Sequence, residues 1–126
     1  MSYENMATIS TTIDGSEWSI NPFTTTTGGS YLKRLLKVFG ESYTALTTAE
    51  SEEAAITLAM SKLIENIDKD DVISLIKAML YDIQKDGKKV NFDMEFARRY
   101  KVLFQVTKWV VQENFGDFFT GNVIDE

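Results

Sequence analysis

The sequence predicts a mainly α-helical fold, a small four-helix bundle-like domain with an N-terminal β-hairpin. Apolar residues recur every three or four positions in four separate stretches, which is the helical period. One segment near the amino terminus is instead rich in β-branched residues and contains an Asp-Gly dipeptide. The chain has 126 residues, 44% of them hydrophobic, which suits one compact core. We therefore expect residues 1–126 to form a single domain.

The β-branched segment covers residues 7–23, ATISTTIDGSEWSINPF, and predicts a two-stranded hairpin. Asp14-Gly15 suits a two-residue turn, in which both residues take positive φ angles. Pro22 should mark the end of the second strand, because proline cannot donate a hydrogen bond to a sheet. The apolar residues on either side of the turn are Ile9, Ile13, Trp18 and Ile20.

Residues 24–30, TTTTGGS, have no apolar period and are predicted to be a flexible connector. Their glycines are not followed by Gly-Lys-Ser or Gly-Lys-Thr, so a phosphate-binding loop is not indicated. The helical bundle should then occupy residues 31–119. Its first helix, YLKRLLKVFG, should stop at Gly40. The apolar positions of this helix, at i, i+3, i+4 and i+7, are Leu32, Leu35, Leu36 and Phe39.

Two further helices follow, and the short link between them favours an antiparallel pair. The second should begin near Ser51, a residue type suited to capping a helix. Its apolar stripe is Ile56, Met60, Leu63, Ile64 and Ile67. The third should begin after Asp68 or Asp70 and end at KDGKK with Gly87. Its apolar stripe is Val72, Ile76, Met79, Leu80 and Ile83.

The fourth helix is predicted from about Asp93 to Asn114 as one rod of about 22 residues, near 33 Å long. Gly116 should end it as a left-handed cap and turn the chain back, with residues 120–126 as a tail. Its apolar stripe includes Phe96, Tyr100, Leu103, Phe104, Val110 and Val111.

Composition rules out several kinds of chemistry. The chain has no cysteine and no histidine, which excludes disulfides, thiolate or imidazole metal sites and histidine general bases. The acidic run at residues 68–71 lacks the glycine and the acid of an EF-hand loop, since Ile73 and Met79 occupy those places. We expect no catalytic residue, no metal and no cofactor.

Charge and hydropathy also limit the partners. The formal charge of −6 argues against a general nucleic-acid binder. No apolar run approaches the roughly 20 residues that span a bilayer, and the amino terminus lacks a secretory signal. We expect a soluble cytoplasmic protein without nucleic-acid or membrane partners. The basic residues Lys33, Arg34, Lys37, Arg98, Arg99, Lys101 and Lys108 could form weak surface ion pairs or steer an acidic partner.

Three phenylalanines, Phe115, Phe118 and Phe119, lie close to the carboxyl terminus. They could close the open end of the bundle as part of its core, or dock into another chain. Both alternatives stay open at the level of the sequence. The candidate residues for partner binding or self-association are Leu32, Leu35, Leu36, Phe39, Trp109, Phe115, Phe118 and Phe119.

The sequence resembles the tail assembly chaperones of tailed bacteriophages or prophages. The resemblance is carried by IDGSEWSINPF, by YLKRLLKVFG and by the closing segment FARRYKVLFQVTKWVVQENFGDFF. The middle of the chain, residues 41–90, is similar only in pattern.

The resemblance implies a non-enzymatic protein of viral tail morphogenesis. Such proteins bind the long tape measure protein, keep it soluble and assist assembly of the tail tube in the host bacterial cytoplasm. It further implies absence from the mature virion, self-association, and a longer frameshifted form of the same protein as a further partner. A minor structural tail protein and a helical host-directed regulator are the alternative functions.

Overall fold

The computed structural model describes residues 7–120, except for the side chains of Asp70 and Thr120. Its described part is mainly helical with an N-terminal antiparallel hairpin, which confirms the predicted fold class. Residues 121–126 of the predicted tail lie outside the described residues. The strands and α-helices are β1 (Ile9–Ile13), β2 (Ser16–Ile20), α1 (Thr25–Phe39), α2 (Tyr43–Thr47), α3 (Glu52–Glu65), α4 (Asp70–Met79), β3 (Gln84–Lys85), β4 (Lys88–Lys89), α5 (Phe92–Glu95) and α6 (Tyr100–Phe115). Two 3₁₀ helices, Gly40–Ser42 and Gly116–Thr120, complete the described chain.

The N-terminal hairpin forms as predicted. β1 and β2 pair antiparallel through the Asp14-Gly15 turn, where φ is +54° and +80°. Trp18 is fully buried, and its indole Nε1 donates to the backbone oxygen of Ile13 at 3.1 Å. This bond satisfies the only polar atom of a large apolar ring, so the hairpin can place that ring in the core.

A second hairpin stands where the third helix was predicted to continue to Gly87. Helix α4 ends at Met79, and the chain then forms β3 and β4 around Asp86 and Gly87, with φ of +52° and +83°. β3 pairs with β2, which gives an antiparallel sheet in the order β1-β2-β3-β4. The Asp-Gly signal that identified the first turn was also present here. The predicted helical extension was therefore wrong.

The predicted connector, residues 24–30, is also wrong, because helix α1 begins inside it. Thr24 caps the helix by accepting a hydrogen bond from the Thr27 amide at 3.3 Å. A Cβ on Gly28 would lie 3.3 Å from the Phe23 Cβ, so a glycine permits close packing there. The predicted stop is confirmed, since Gly40 follows the last residue of α1 with φ of +54°.

Helix α3 occupies the middle of the helical layer. It begins where predicted, after Ser51, whose hydroxyl accepts from the Ala54 amide at 3.1 Å. It contacts α1, α2, α6 and the C-terminal 3₁₀ helix. Its apolar stripe is narrower than predicted, because Ile64 is 44% exposed. The buried residues of α3 are Ala55, Ile56, Ala59, Met60 and Leu63.

The predicted 22-residue rod is broken into α5 and α6, with Arg98 in the left-handed region at φ +62°. The turn lets Phe96 stack against Trp18 at a centroid distance of 5.7 Å, which ties α5 to the sheet. Tyr100 is 59% exposed at the start of α6 and not part of the buried stripe. The continuous part, α6, has 16 residues, which corresponds to about 24 Å.

The end of α6 also differs from the prediction. Gly116 is right-handed helical, with φ −55° and ψ −41°, and the chain continues directly into the 3₁₀ helix Gly116–Thr120. A carboxylate oxygen of Glu52 lies where a Cβ on Gly116 would be. The glycine therefore serves close approach to α3, not a left-handed cap.

Candidate partner-binding groove

An open groove runs between the start of α1 and the C-terminal 3₁₀ helix. Its volume is ≈370 Å³, and its lining is mostly apolar. We refer to it as the terminal groove, because it lies beside the last described residues. The residues that line it are Phe23, Thr24, Thr25, Gly28, Gly29, Leu32, Asn114, Phe115, Asp117 and Phe118.

The groove is open on the α1 side, where that helix presents two glycines. Gly29 has open space where a side chain would be, and Gly28 is buried against Phe23 and Phe115. Glycine in a helix interior is less favourable than alanine by roughly 0.5–1 kcal/mol. The Gly-Gly pair is thus explained by the space it leaves and by the close approach of the aromatic rings.

A side-chain hydrogen bond holds the two walls together. Asn114 Oδ1 accepts from the Phe23 amide at 2.9 Å, and its Nδ2 donates to the Val110 carbonyl at 2.9 Å. The Phe23 ring contacts Phe115 at 5.8 Å and Tyr31 at 5.0 Å between centroids. These contacts hold Phe23, two residues before α1, against the end of α6. The terminal groove is therefore formed without a partner present.

The described structure places the eight candidate residues in two environments. Four are buried in the core: Leu35, Phe39, Phe115 and Phe119. The other four, Leu32, Leu36, Trp109 and Phe118, are partly buried and pack against that core. Phe119 is fully buried and meets Phe39 edge-on at 6.1 Å. A buried ring can support a groove from beneath, but it cannot reach a partner without rearrangement.

The terminal groove brings together three of the eight candidates. Leu32 and Phe118 form its partly exposed walls, and Phe115, 5% exposed, lies beneath them. Leu36 and Trp109 are not among its lining residues. Sequence reasoning missed Phe23 and Asn114, which belong to the groove only through contacts across the fold. No signal in the sequence pointed to these two residues, because residues 24–30 were predicted to be a connector and not the start of a helix.

Two of the candidate basic residues, Arg99 and Lys108, form ion pairs. Arg99 pairs with Glu95 at 2.6 Å and with Asp14 at 3.1 Å, and Lys108 pairs with Glu53 at 2.8 Å. These contacts match the surface ion-pair alternative. Arg34 and Lys37 line a different cleft, of ≈690 Å³, between α1 and α4.

The described residues offer no grouping suited to catalysis by a metal. Within residues 7–120, no set of three or more acidic side chains is arranged to hold a metal ion. No helix in the same range is long and apolar enough to cross a membrane. The terminal groove is an apolar groove on a small helical fold, and such grooves are typical of proteins that bind other polypeptides.

Comparison with known families agrees with this class. Residues 14–123 match the model of a family described as phage tail assembly chaperone protein, TAC. The match covers most of the chain, and the chain therefore belongs to the phage tail assembly chaperone family. The family points to a non-catalytic role in tail assembly. No curated protein and no solved structure matches the chain.

Proposed function

We propose that this chain binds the tape measure protein of its phage and keeps that protein soluble until the tail tube assembles. The proposal places it in the host bacterial cytoplasm and excludes it from the mature virion. Membership of the tail assembly chaperone family supports a role in assembly. The observation that carries the specific proposal is the terminal groove, whose apolar walls remain partly exposed in the isolated chain.

The groove suits an apolar anchor from a helical client. Leu32 on α1 and Phe118 on the C-terminal 3₁₀ helix both line it, so we expect one client side chain in the groove to contact both. Burying one large apolar side chain is worth roughly 1.5–3 kcal/mol, which alone gives weak and reversible binding. A chaperone that must later release its client benefits from such weak contacts.

Several copies on one client would strengthen the complex by avidity. We therefore propose self-association, with a longer frameshifted form of the same protein as a further partner. The formal charge of −6 would keep a client coated with many copies soluble, because like-charged complexes repel one another.

Co-expression with the tape measure protein tests the proposal. The readout is the fraction of the tape measure protein that stays soluble with wild type, Leu32→Ser or Phe118→Ser. Each groove variant should lower that fraction, since a hydroxyl on the wall removes apolar contact with the client. Leu36→Ser is the matched control, because Leu36 is also partly buried on α1 but lies outside the groove.

Stability must be measured in the same variants. If Leu32→Ser and Leu36→Ser lose similar stability but only Leu32→Ser loses client solubility, the groove is the binding site. Equal solubility with all variants would refute binding through the groove. Recovery of this chain in stoichiometric amounts from purified virions would refute the chaperone role and favour a structural tail protein.

A further inference from the structure

Strand β1 forms one edge of the sheet. The strand order is β1-β2-β3-β4, and no other strand within residues 7–120 pairs with the outer side of β1. Ser10 and Thr12 are exposed, whereas Ile9 and Ile13 are partly buried. The strand has five residues, in continuous register with β2 from Ile9↔Ile20 to Ile13↔Ser16. It is therefore long and regular enough to accept another strand.

The hydrogen bonds of β2 show which N–H and C=O groups of β1 point away from the sheet. The Glu17 amide donates to Asp86 Oδ1 at 2.9 Å, and the Glu17 carbonyl accepts from the Asp86 amide at 2.7 Å. Both groups of Glu17 thus point away from β1. Thr12 is its register partner, so the Thr12 N–H and C=O point away from β2 in turn. The direction of the backbone N–H and C=O groups alternates from one residue to the next along a strand, so those of Ser10, two residues earlier, point the same way as those of Thr12.

The two edges of the sheet differ in protection against pairing. β4, at the far edge, consists of Lys88 and Lys89, and short lysine-bearing strands are a common device against edge-to-edge association. β1, Ile-Ser-Thr-Thr-Ile, has no charge, no proline and no bulge. Four of its five residues, two isoleucines and two threonines, are types of high β-propensity. Of these two edges, only β1 lacks a feature that would repel a second strand.

We infer that β1 pairs antiparallel with β1 of a second copy, about a twofold axis at Thr11. The sequence of the strand is nearly the same in both directions, so this register places Ile9 opposite Ile13 and Ser10 opposite Thr12 in each half. The outward N–H and C=O groups of Ser10 and Thr12 would then form four hydrogen bonds across the axis. Ile9, Thr11 and Ile13 of both copies lie on one face of the joined sheet, and Ser10 and Thr12 lie on the other.

Charge does not oppose a second copy at this edge. Two chains of formal charge −6 repel in general, but β1 carries no charge itself. The adjacent carboxylate, Asp14, is paired with Arg99 at 3.1 Å, which offsets its negative charge at the end of the strand. The half-buried Ile9 and Ile13 would lose further exposure to water on pairing. This inference does not rest on tape measure binding, and it is measurable with the purified chain alone.

A cysteine at residue 11 tests the register directly. In the inferred dimer the two Thr11 residues form a non-hydrogen-bonded pair with Cα atoms about 4.5 Å apart, within disulfide range. The natural chain contains no cysteine, so Thr11→Cys can form only this one disulfide. Ser10→Cys is the matched control, because two Ser10 residues would be offset by two positions, beyond the roughly 7 Å limit.

Under mild oxidation Thr11→Cys should become a covalent dimer, whereas Ser10→Cys should remain mostly monomeric on a non-reducing gel. Equal cross-linking of both variants, or none in Thr11→Cys, would overturn the inferred register.

A second experiment measures the dimer without cross-linking. Thr12→Pro removes one outward N–H from each copy, so two of the four hydrogen bonds are lost. Sedimentation equilibrium should show a dimer Kd weakened by roughly tenfold or more. Thr12→Val keeps the N–H and the β-propensity and should dimerise like wild type. Circular dichroism shows whether Thr12→Pro is folded.

If Thr12→Pro does not fold, Thr12→Lys replaces it, because lysine keeps the N–H but places two charges at the edge. Wild-type protein that stays monomeric up to about 1 mM would overturn the inference. A Kd unchanged in the folded edge variant would also overturn it, since the dimer would then use another surface.

Discussion

Replacing Phe119 with alanine tests whether the C-terminal aromatic residues belong to the core or to an interface. Phe119 is fully buried and meets Phe39 at 6.1 Å and Phe118 at 5.3 Å, both edge-on. Truncation of a buried phenylalanine costs about 3–5 kcal/mol, and loss of two aromatic contacts places this one in the upper part of that range. Phe118 is only partly buried. Its truncation should cost about 1–2 kcal/mol, because part of its surface is already wet.

Urea unfolding followed by circular dichroism separates these two values. With a slope of about 2 kcal/mol per molar, Phe119→Ala should lower the midpoint by about 2 M, and Phe118→Ala by about 0.5–1 M. Each variant loses one phenyl ring, and both lose the contact between Phe118 and Phe119. Each variant is therefore a control for the other. A loss in Phe118→Ala equal to or larger than that in Phe119→Ala would refute the assignment of Phe119 to the core.

Three further substitutions probe contacts that the fold depends on. Asn114→Ala should destabilise by about 1–3 kcal/mol in urea, because the Phe23 amide loses its acceptor. Gly87→Ala should lower the melting temperature through a loss of roughly 1 kcal/mol, because φ is +83° there. Glu95→Gln should cost up to about 1 kcal/mol through its contacts with Lys85 and Arg99, less in high salt, as salt-dependent melting would show.

Each of these has a control within the chain. Gln112→Ala also changes α6, but it removes no described side-chain hydrogen bond. It should therefore lower the free energy of unfolding less than Asn114→Ala. Gly29→Ala should be neutral or stabilising, because Gly29 is helical with open space around it. Asp93→Asn breaks the more exposed pair with Lys77 and should have a smaller effect than Glu95→Gln. A reversed order in any pair would contradict the contact assigned to it.

The successful predictions rested on signals within a few residues. Asp14-Gly15 marks a turn because its two residues tolerate positive φ, and that holds in any context. Ser51 marks a helix start because its hydroxyl reaches an amide three residues later. Gly40 marks a helix end for an equally local reason. The fold class followed from such signals together with the apolar period.

Two of the errors have a common physical cause, which is packing between distant segments, whereas the second hairpin was missed although its Asp86-Gly87 turn carries the same local signal as Asp14-Gly15. Residues 24–30 looked like a connector, yet Gly28 sits in α1 because Phe23 and Phe115 pack against it. Residues 93–114 looked like one rod, yet the helix breaks so that Phe96 can stack on Trp18. β3 is only two residues long and pairs with β2, so its own sequence carried little periodic signal.

The candidate site was likewise predictable only in part from the sequence. The apolar stripe of α1 and the aromatic end of the chain were visible in the sequence. Their separation into buried and partly exposed members was not, because it depends on which face α3 and the C-terminal 3₁₀ helix cover. Leu32 and Leu35 are equally apolar and three residues apart, but only Leu32 lines the terminal groove.

By itself, the sequence determined that this protein is mainly helical, has an N-terminal hairpin and contains neither histidine nor cysteine. It also carried the features that resemble its family. Only the tertiary structure decided where the predicted 22-residue helix breaks, how the second hairpin completes the sheet, and which apolar residues stay reachable. The reason is that turns and caps depend on neighbours along the chain, whereas burial depends on segments that meet only after folding.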